Sequence, residues 1–311
     1  MRLVRLPVPV RIVSWGIVAE RVPAPAAAAP SQLEGSRRLD RYAELGCAAA
    51  ALALEGAPGI RPARGDDTWG VVLGSSLGCW ASNAEFLCDL ERHRPARLSP
   101  ALFVRTVANS AAGEISIAHG IGGASQMLVS GWTAGAEALA EACALLAEGR
   151  ARFVLAGGLE APDGTLREQH RARRRTLGWL PDTLEEAAAL CLLTAADDEK
   201  PGPRIVAYAR GHDPRGEWSL ADAVRRLESP EIESVVVTDP VPPEILQRWE
   251  READRRSLVH FVEGSRAFGA AGAPLALACT VPRLEAMKRA GAMLFLARGP
   301  EGATAVLVVC R

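Results

Sequence analysis

The sequence predicts an α/β fold made of two similar halves. Short apolar strand patterns alternate with helical patterns along most of the chain. The order β-α-β-α-β-α-β-β occurs twice, with a seam near "ADDEKPGP" (196–203). With 311 residues and 49% hydrophobic content, the chain can bury a large core, either as one domain or as two moderate ones. Alternation by itself implies a sheet covered by helices. A duplicated unit that closes on two consecutive strands is more restrictive.

In the first half, "VRIVSWGIV" (10–18) has strand character, and "APAAAAPSQLEGS" (24–36) is a Pro/Ala loop. "LDRYAELGCAAAALALEG" (39–56) is a helix apolar on most sides, hence largely buried. "TWGVVLGSS" (68–76) is a strand, followed by a helix through "NAEFLCDLERH". Residues 107–118 form another helix with Asn109 or Ser110 near its cap. "SQMLVSG" is a strand, "TAGAEALAEACALLAEG" a helix ending at Gly149, and "ARFVLAGG" and "AAALCLLTA" are strands. In the second half, "PRIVAYARG" (203–211) is a strand and "SLADAVRRLES" (219–229) a helix with Ser219 as N-cap. "IESVVVTD" (232–239) is a strand and "PPEILQRWEREADRR" (242–256) a helix opened by proline. "SLVHFVEG" is a strand. "AGAPLALACTVPRLEAMKRAG" holds helical segments broken at Pro282, and "GAMLFLARG" and "TAVLVVC" close the chain as strands.

Charge and cysteine usage exclude several classes. Net charge is −1, from 36 basic and 37 acidic residues, so no bulk field draws nucleic acid or an anionic membrane. The seven cysteines are odd in number, form no C-x-x-C pair and mostly sit in apolar runs, as buried free thiols of a reducing cytosol would. The first twenty residues are broken by Pro7, Pro9 and Gly16, and no later segment is long and apolar enough to span a bilayer. A cytoplasmic protein is expected. No metal-ligand spacing and no nucleotide loop occur, and no cofactor is expected.

"LVSGWTAGAEALAEA" (128–142) reads as a strand, a sharp turn at Gly131 and a helix. Such corners often hold a nucleophile, yet here the corner residue is Trp132. The surrounding stretches resemble the ketosynthase branch of the thiolase fold. "WGVVLGSSLG" resembles that family's second strand and glycine loop, and "LSPALFVRTVANSAAGEISIAHGIGG" the run ahead of its active-site strand. "MLVSGWTAGAEALAEACALLAEGRARFVLAGGLEA" resembles its nucleophile elbow, buried helix and a following strand ending in Gly-Gly-x-Glu. "EEAAALCLLTAADD" and "RAFGAAGAPLALA" also fit. The similarity is good from about 68 to 200 and strong again at 266–273. It implies a thiolase-like fold, two βαβαβαββ halves in α-β-α-β-α layers. They divide into an N-terminal half, 1–200, and a shortened C-terminal half, 201–311.

The family's chemistry uses a cysteine at the elbow, whose thiolate a helix N-terminus favours, with two histidines and a lysine assisting. Registered on "GAEAL", the cysteine position is Trp132; registered on "GAAGA", the second histidine position is Arg266 and the lysine position is Phe261. Where the first histidine would follow a strand, "VVVTDPVPPE" offers Asp239 or Pro240. The late Gly-Phe-Gly-Gly loop is replaced by "RGPEG". An indole has one N–H donor and no usable lone pair, so Trp132 cannot carry a thioester. It either packs the core or plugs the space where an acyl chain would lie.

Ketosynthase-like chains without the cysteine are known as chain-length factors, which pair with an active ketosynthase and shape the tunnel in which the chain grows. The resemblance therefore implies a non-catalytic subunit in polyketide, polyene or fatty-acid-like elongation, with an active ketosynthase as partner and an acyl carrier protein as visitor. It also implies that Ser125, Gln126, Met127, Leu128, Val129 and Ser130 lie at the centre of a dimer interface. That stretch carries no charge and no proline, and an exposed strand of this kind would be an aggregation edge.

Two alternatives stay open. One is a homodimeric pseudo-enzyme or scaffold derived from a ketosynthase. The other is a hydrolase: "GSSLG" (74–78) matches G-x-S-x-G after a strand, and Ser76, Asp239 and His260 fall in Ser…Asp…His order. His93, His119, His170 and His212 read as ordinary residues. The basic run "REQHRARRRTLGW" (167–179) is either a solvated face or a docking patch for an acidic partner.

Overall fold

The structure, a computed structural model, describes residues 3–19, 27–28, 39–92, 98–178, 180–196, 200–213, 232–238, 241–252, 258–261, 269–286, 292–299 and 303–310. The first half runs β1 (Val4–Ala19), β2 (Ala27–Ala28), α1 (Arg41–Glu55), β3 (Trp69–Ser75), α2 (Trp80–Arg92), α3 (Pro100–Val104), α4 (Ser110–His119), β4 (Ser125–Val129), α5 (Ala134–Ala147), β5 (Phe153–Glu160), α6 (Gly164–Thr176) and β6 (Ala187–Ala195). The second runs β7 (Arg204–His212), β8 (Ile232–Val237), α7 (Pro243–Glu252), β9 (Leu258–Phe261), α8 (Gly272–Ala286), β10 (Ala292–Arg298) and β11 (Ala303–Cys310).

Among the described residues the strands join in the order β4-β3-β5-β6-β1-β7-β11-β10-β8-β9, with β2 beside β1. The order repeats. Setting aside the short β2, each half arranges its strands, numbered by appearance, as 3-2-4-5-1. In both, the second strand pairs parallel with the third and fourth, and the fifth pairs antiparallel with the fourth and first. The antiparallel pair β1–β7 links the halves.

The layers follow from which apolar face each helix buries. α1 and α4 cover one face of the first half through Leu45, Ala49, Leu54 and Ile115, packed on Val71, Leu73, Leu155 and Leu190. α5 lies between the halves. Leu139, Cys143 and Leu145 share one cluster with Val72 and Val154 of the first half, with Met293, Phe295, Leu307 and Val309 of the second, and with Leu277 of α8. α7 covers the far face of the second half with Ile245 and Trp249 against Val235, Leu294 and Val306. The arrangement is α-β-α-β-α and thiolase-like.

Some elements differ from expectation. β1 begins at Val4, six residues before the predicted start. Pro7 and Pro9 cannot donate to a ladder, and the β1–β7 register shifts between Arg5 and Val10, around both prolines. α8 continues through Pro282. Its core-facing Leu275, Ala276, Leu277 and Val281 are buried, and tertiary packing overrides the local penalty of a helical proline. α2 starts at Trp80, α3 is an additional short helix capped by Ser99, and the basic run forms α6. Asn109 precedes α4 without a side-chain capping bond. The predicted helix 219–229 lies outside the described residues, as does most of the loop 24–36, of which Ala27–Ala28 pair with β1.

Candidate functional site

The predicted corner exists. β4 ends at Val129, Gly131 adopts φ +80°, and Gly131–Thr133 form a single 3₁₀ turn that opens α5. Few residues other than glycine accept that φ, which fixes the glycine of the corner. Trp132 follows it and is only 8% exposed. Its indole packs with Leu166 of α6 and with Leu184. It also stacks on His170 of α6, with ring centroids 6.0 Å apart and planes 29° apart. His170 is buried, and its Nε2 donates to the carbonyl of Pro181 at 2.9 Å, which holds the ring in place. The expectation of an ordinary, isolated His170 is therefore corrected: α6 carries it onto the face of Trp132.

The start of α5 is electrostatically occupied. Glu137, in its first turn, accepts from Thr133 Oγ1 at 2.6 Å and from Ser130 Oγ at 3.0 Å. A helix N-terminus favours negative charge, and here the chain's own carboxylate meets it.

Beside Trp132 opens a cavity of about 180 Å³, lined by Ser76, Glu160, His170 and Arg173 among others. Its polar floor is Glu160, the last residue of β5, only 2% exposed. Its carboxylate accepts from Ser75 Oγ at 2.9 Å, from the Ser76 amide at 3.1 Å and from the Ala270 amide at 3.1 Å. Burial holds its pKa above the ordinary carboxylate value, and these hydrogen bonds offset only part of that rise. Ala270 belongs to the second half, so Glu160 ties the halves together beneath the corner.

Two glycines allow that approach. A side chain at Gly135, in the first turn of α5, or at Gly158, in β5, would run into the carbonyl oxygen of Ala270. The glycine of "TAGAEAL" and the second glycine of "LAGGLE" are thus placed by the contact between halves.

The other sequence-predicted positions fall as follows. Phe261 is the last residue of β9. Asp239 and Arg266 lie outside the described residues. Ser125–Val129 form β4, an edge strand of the sheet with β3 as its one described neighbour. Met127 packs toward the α1 and α4 side and Leu128 toward α5, while Val129 is 48% exposed and Ser130 is exposed. Ser76 does not sit at a direct strand-to-helix elbow. α2 begins four residues later, and the Ser76 hydroxyl bonds Glu160 and accepts from the Ala270 amide at 3.2 Å. In α6, Arg167 and Arg174 donate to the carbonyls of Leu184 and Leu180, and Arg174 pairs with Asp182. Arg171, Arg173 and Arg175 are exposed. The basic run therefore fastens the 180–184 segment with one set of arginines and shows another to solvent. No metal-binding group of His, Cys, Asp and Glu occurs among the described residues, and no described helix is long and apolar enough to cross a membrane.

The beta-ketoacyl synthase N-terminal domain family matches residues 15–175. A 3-oxoacyl-(acyl-carrier-protein) synthase 2 of Rhizobium meliloti (strain 1021) is 34% identical over 128 residues, 40% of this chain and 30% of that protein. Its counterpart in Synechocystis sp. (strain ATCC 27184 / PCC 6803 / Kazusa) is 27% identical over 147 residues, 47% of this chain and 35% of that protein. The matched region thus spans about a third of the length of these curated relatives. Among solved structures, the ishigamide ketosynthase/chain length factor aligns with TM-score 0.74 and 21% identity over 97% of this chain and 99% of that one. A type II PKS acyl-carrier protein in complex with its ketosynthase bound to the hexaketide aligns with TM-score 0.76 and 16% identity, over 98% and 99%. A beta-ketoacyl synthase from Burkholderia phymatum STM815 gives TM-score 0.76 and 17% identity over the same shares.

Proposed function

We propose that this chain, which belongs to the beta-ketoacyl synthase family, is a non-catalytic subunit of the chain-length-factor type. It pairs with an active ketosynthase in polyketide, polyene or fatty-acid-like elongation on an acyl carrier protein. The observation that carries the reading is Trp132. An indole stands where the family's nucleophile would be, buried against Leu166, Leu184 and His170. The space in front of α5 is filled by rings, and the helix end that would favour a thiolate faces Glu137. Asp239, Phe261 and Arg266 stand at the positions of the assisting histidines and lysine, and none can do their work. The chain divides at 200/201 into two halves of one fold, and partnering runs through the β4 edge. Exposed Arg171, Arg173 and Arg175 on α6 offer an acidic carrier protein a cationic face.

Co-expression with a full-length ketosynthase, followed by intact-mass measurement of the purified complex, tests the reading. A one-to-one heterodimer in which acyl-thioester donors acylate only the partner is expected. A stable acyl adduct on this chain near residue 132 would overturn it. A homodimer that ignores the ketosynthase would replace it with the scaffold alternative.

A further inference from the structure

The geometry points to a second site, at the opposite end of the first half from Trp132: a cavity that takes the diphosphate group of a small molecule. β5 runs from Phe153 to Glu160, so at about 3.3 Å per residue its two ends lie about 23 Å apart. At the Phe153 end opens a cavity of about 390 Å³, within the range of roughly 300–1,000 Å³ typical of small-molecule sites.

Its floor is a single row across four strands. Trp69, Phe153, Thr194 and Arg11 are successive partners on β3, β5, β6 and β1. Around that row stand four cations from separate segments: Arg11 on β1, Arg61 in the loop after α1, Arg152 just before β5, and Lys200 after β6. Among the described lining residues there is one carboxylate, Asp66, and its Oδ1 already accepts from the amide and hydroxyl of Thr68 at 3.0 and 2.6 Å. Four positive groups against one negative leave the described lining residues at +3, in a chain whose net charge is −1.

The cations are held ready. Arg61 is anchored to its own loop through the carbonyls of Ala57 and Ile60, at 3.0 and 2.8 Å. The guanidinium carbon of Arg152 lies 5.3 Å from the centroid of the Phe153 ring. Arg11 Nε is buried and makes no hydrogen bond. A buried guanidinium N–H without an acceptor costs free energy that an entering anion oxygen would recover. Arginine forks match phosphate oxygens in pairs. A diphosphate ester carries about three negative charges near neutral pH, because its last ionisation lies near pH 6. That matches the lining charge, and the Phe153 ring and Ile60 give an apolar shelf for whatever the diphosphate is attached to.

Calorimetric titration of the full chain, or of its purified complex, with sodium pyrophosphate and with adenosine diphosphate tests this, with sulfate at matched ionic strength as control. Saturable binding at one site is expected for at least one of the two diphosphates, and weaker binding for sulfate. The variant Arg61→Gln/Lys200→Gln changes two exposed side chains, so its fold is expected to survive, as circular dichroism can verify. It should weaken binding about tenfold or more, and Arg152→Gln should do the same. Tighter binding of the nucleotide than of pyrophosphate assigns an organic diphosphate ester; equal binding assigns the free anion. No saturable binding overturns the proposal. So does binding that the variants leave unchanged or that sulfate reproduces.

Discussion

Replacing Glu160 by Gln would show whether the joint beneath the corner is held by a costly buried acid. The carboxylate receives Ser75 Oγ on one oxygen, the Ala270 amide on the other, and the Ser76 amide near both. A glutamine keeps the shape but offers one acceptor oxygen, and its NH₂ must face at least one of these donors. Leaving a buried donor unsatisfied costs about 1–3 kcal/mol. The pH dependence carries the sign. Burial raises the folded-state pKa of Glu160 above its unfolded value of about 4.3, so the folded state holds the proton more tightly. Its contribution is then most favourable at low pH, and is lost as pH rises from the unfolded value through the raised folded value. The stability advantage of wild type over Glu160→Gln should be largest near pH 5 and shrink toward pH 8. Urea unfolding of both proteins across that range measures it, and subtracting one curve from the other removes the remaining titrating groups. An advantage that widens with pH would mean that the hydrogen bonds outweigh burial, and would refute the reasoning.

Trp132→Ala should cost about 3 kcal/mol of unfolding free energy, the low end for a buried aromatic, because the adjoining cavity lets water take the vacated space; a loss below about 1 kcal/mol by urea unfolding would mean that the ring is not part of the packing. Trp132→Cys should restore no condensation, and alkylation of the new thiol against pH should give a pKa no lower than the ordinary value of about 8.5, since Glu137 opposes the thiolate. Robust synthase activity by that variant alone would contradict the proposed function. Val129→Lys puts a charge on the exposed side of β4 without entering the core, whereas Leu128 packs inward. In co-expression with the ketosynthase, size exclusion with light scattering should show loss of the proposed pairing, and a retained dimer mass would move the interface elsewhere.

What could be read in the sequence was local. The strand–turn–helix at 128–142 shows itself because Gly131 and the apolar face of α5 lie within fifteen residues. The repeated strand order shows itself because each half repeats the same periodicities. What stayed hidden depends on distant partners. Glu160 and Ala270 are 110 residues apart, and nothing near Glu160 announces that its carboxylate will meet an amide of the other half. His170 looked like one histidine in a basic run until α6 turned it onto Trp132. Pro7, Pro9 and Pro282 argued for breaks that packing overrode, because β1 gains a partner on either side and α8 is enclosed between layers.

An indole at position 132 does not free the corner to drift. The first turn of α5 is also a contact between halves: Gly135 and Gly158 both admit the carbonyl of Ala270, while its amide is taken by Glu160. A change at either glycine would push Ala270 away and break that hydrogen bond at the same time. These constraints concern how the two halves meet, and they hold whether or not residue 132 can attack a thioester. Residue 132 itself is less constrained, because its ring packs on Leu166, Leu184 and His170, while the hydrogen bonds of the joint are made by Glu160, Ser75, Ser76 and Ala270. Position 132 can therefore exchange a reactive side chain for a large apolar one while the turn, the helix and the glycines around it remain. On the proposed function, this chain keeps the frame of its family and fills the corner with an indole.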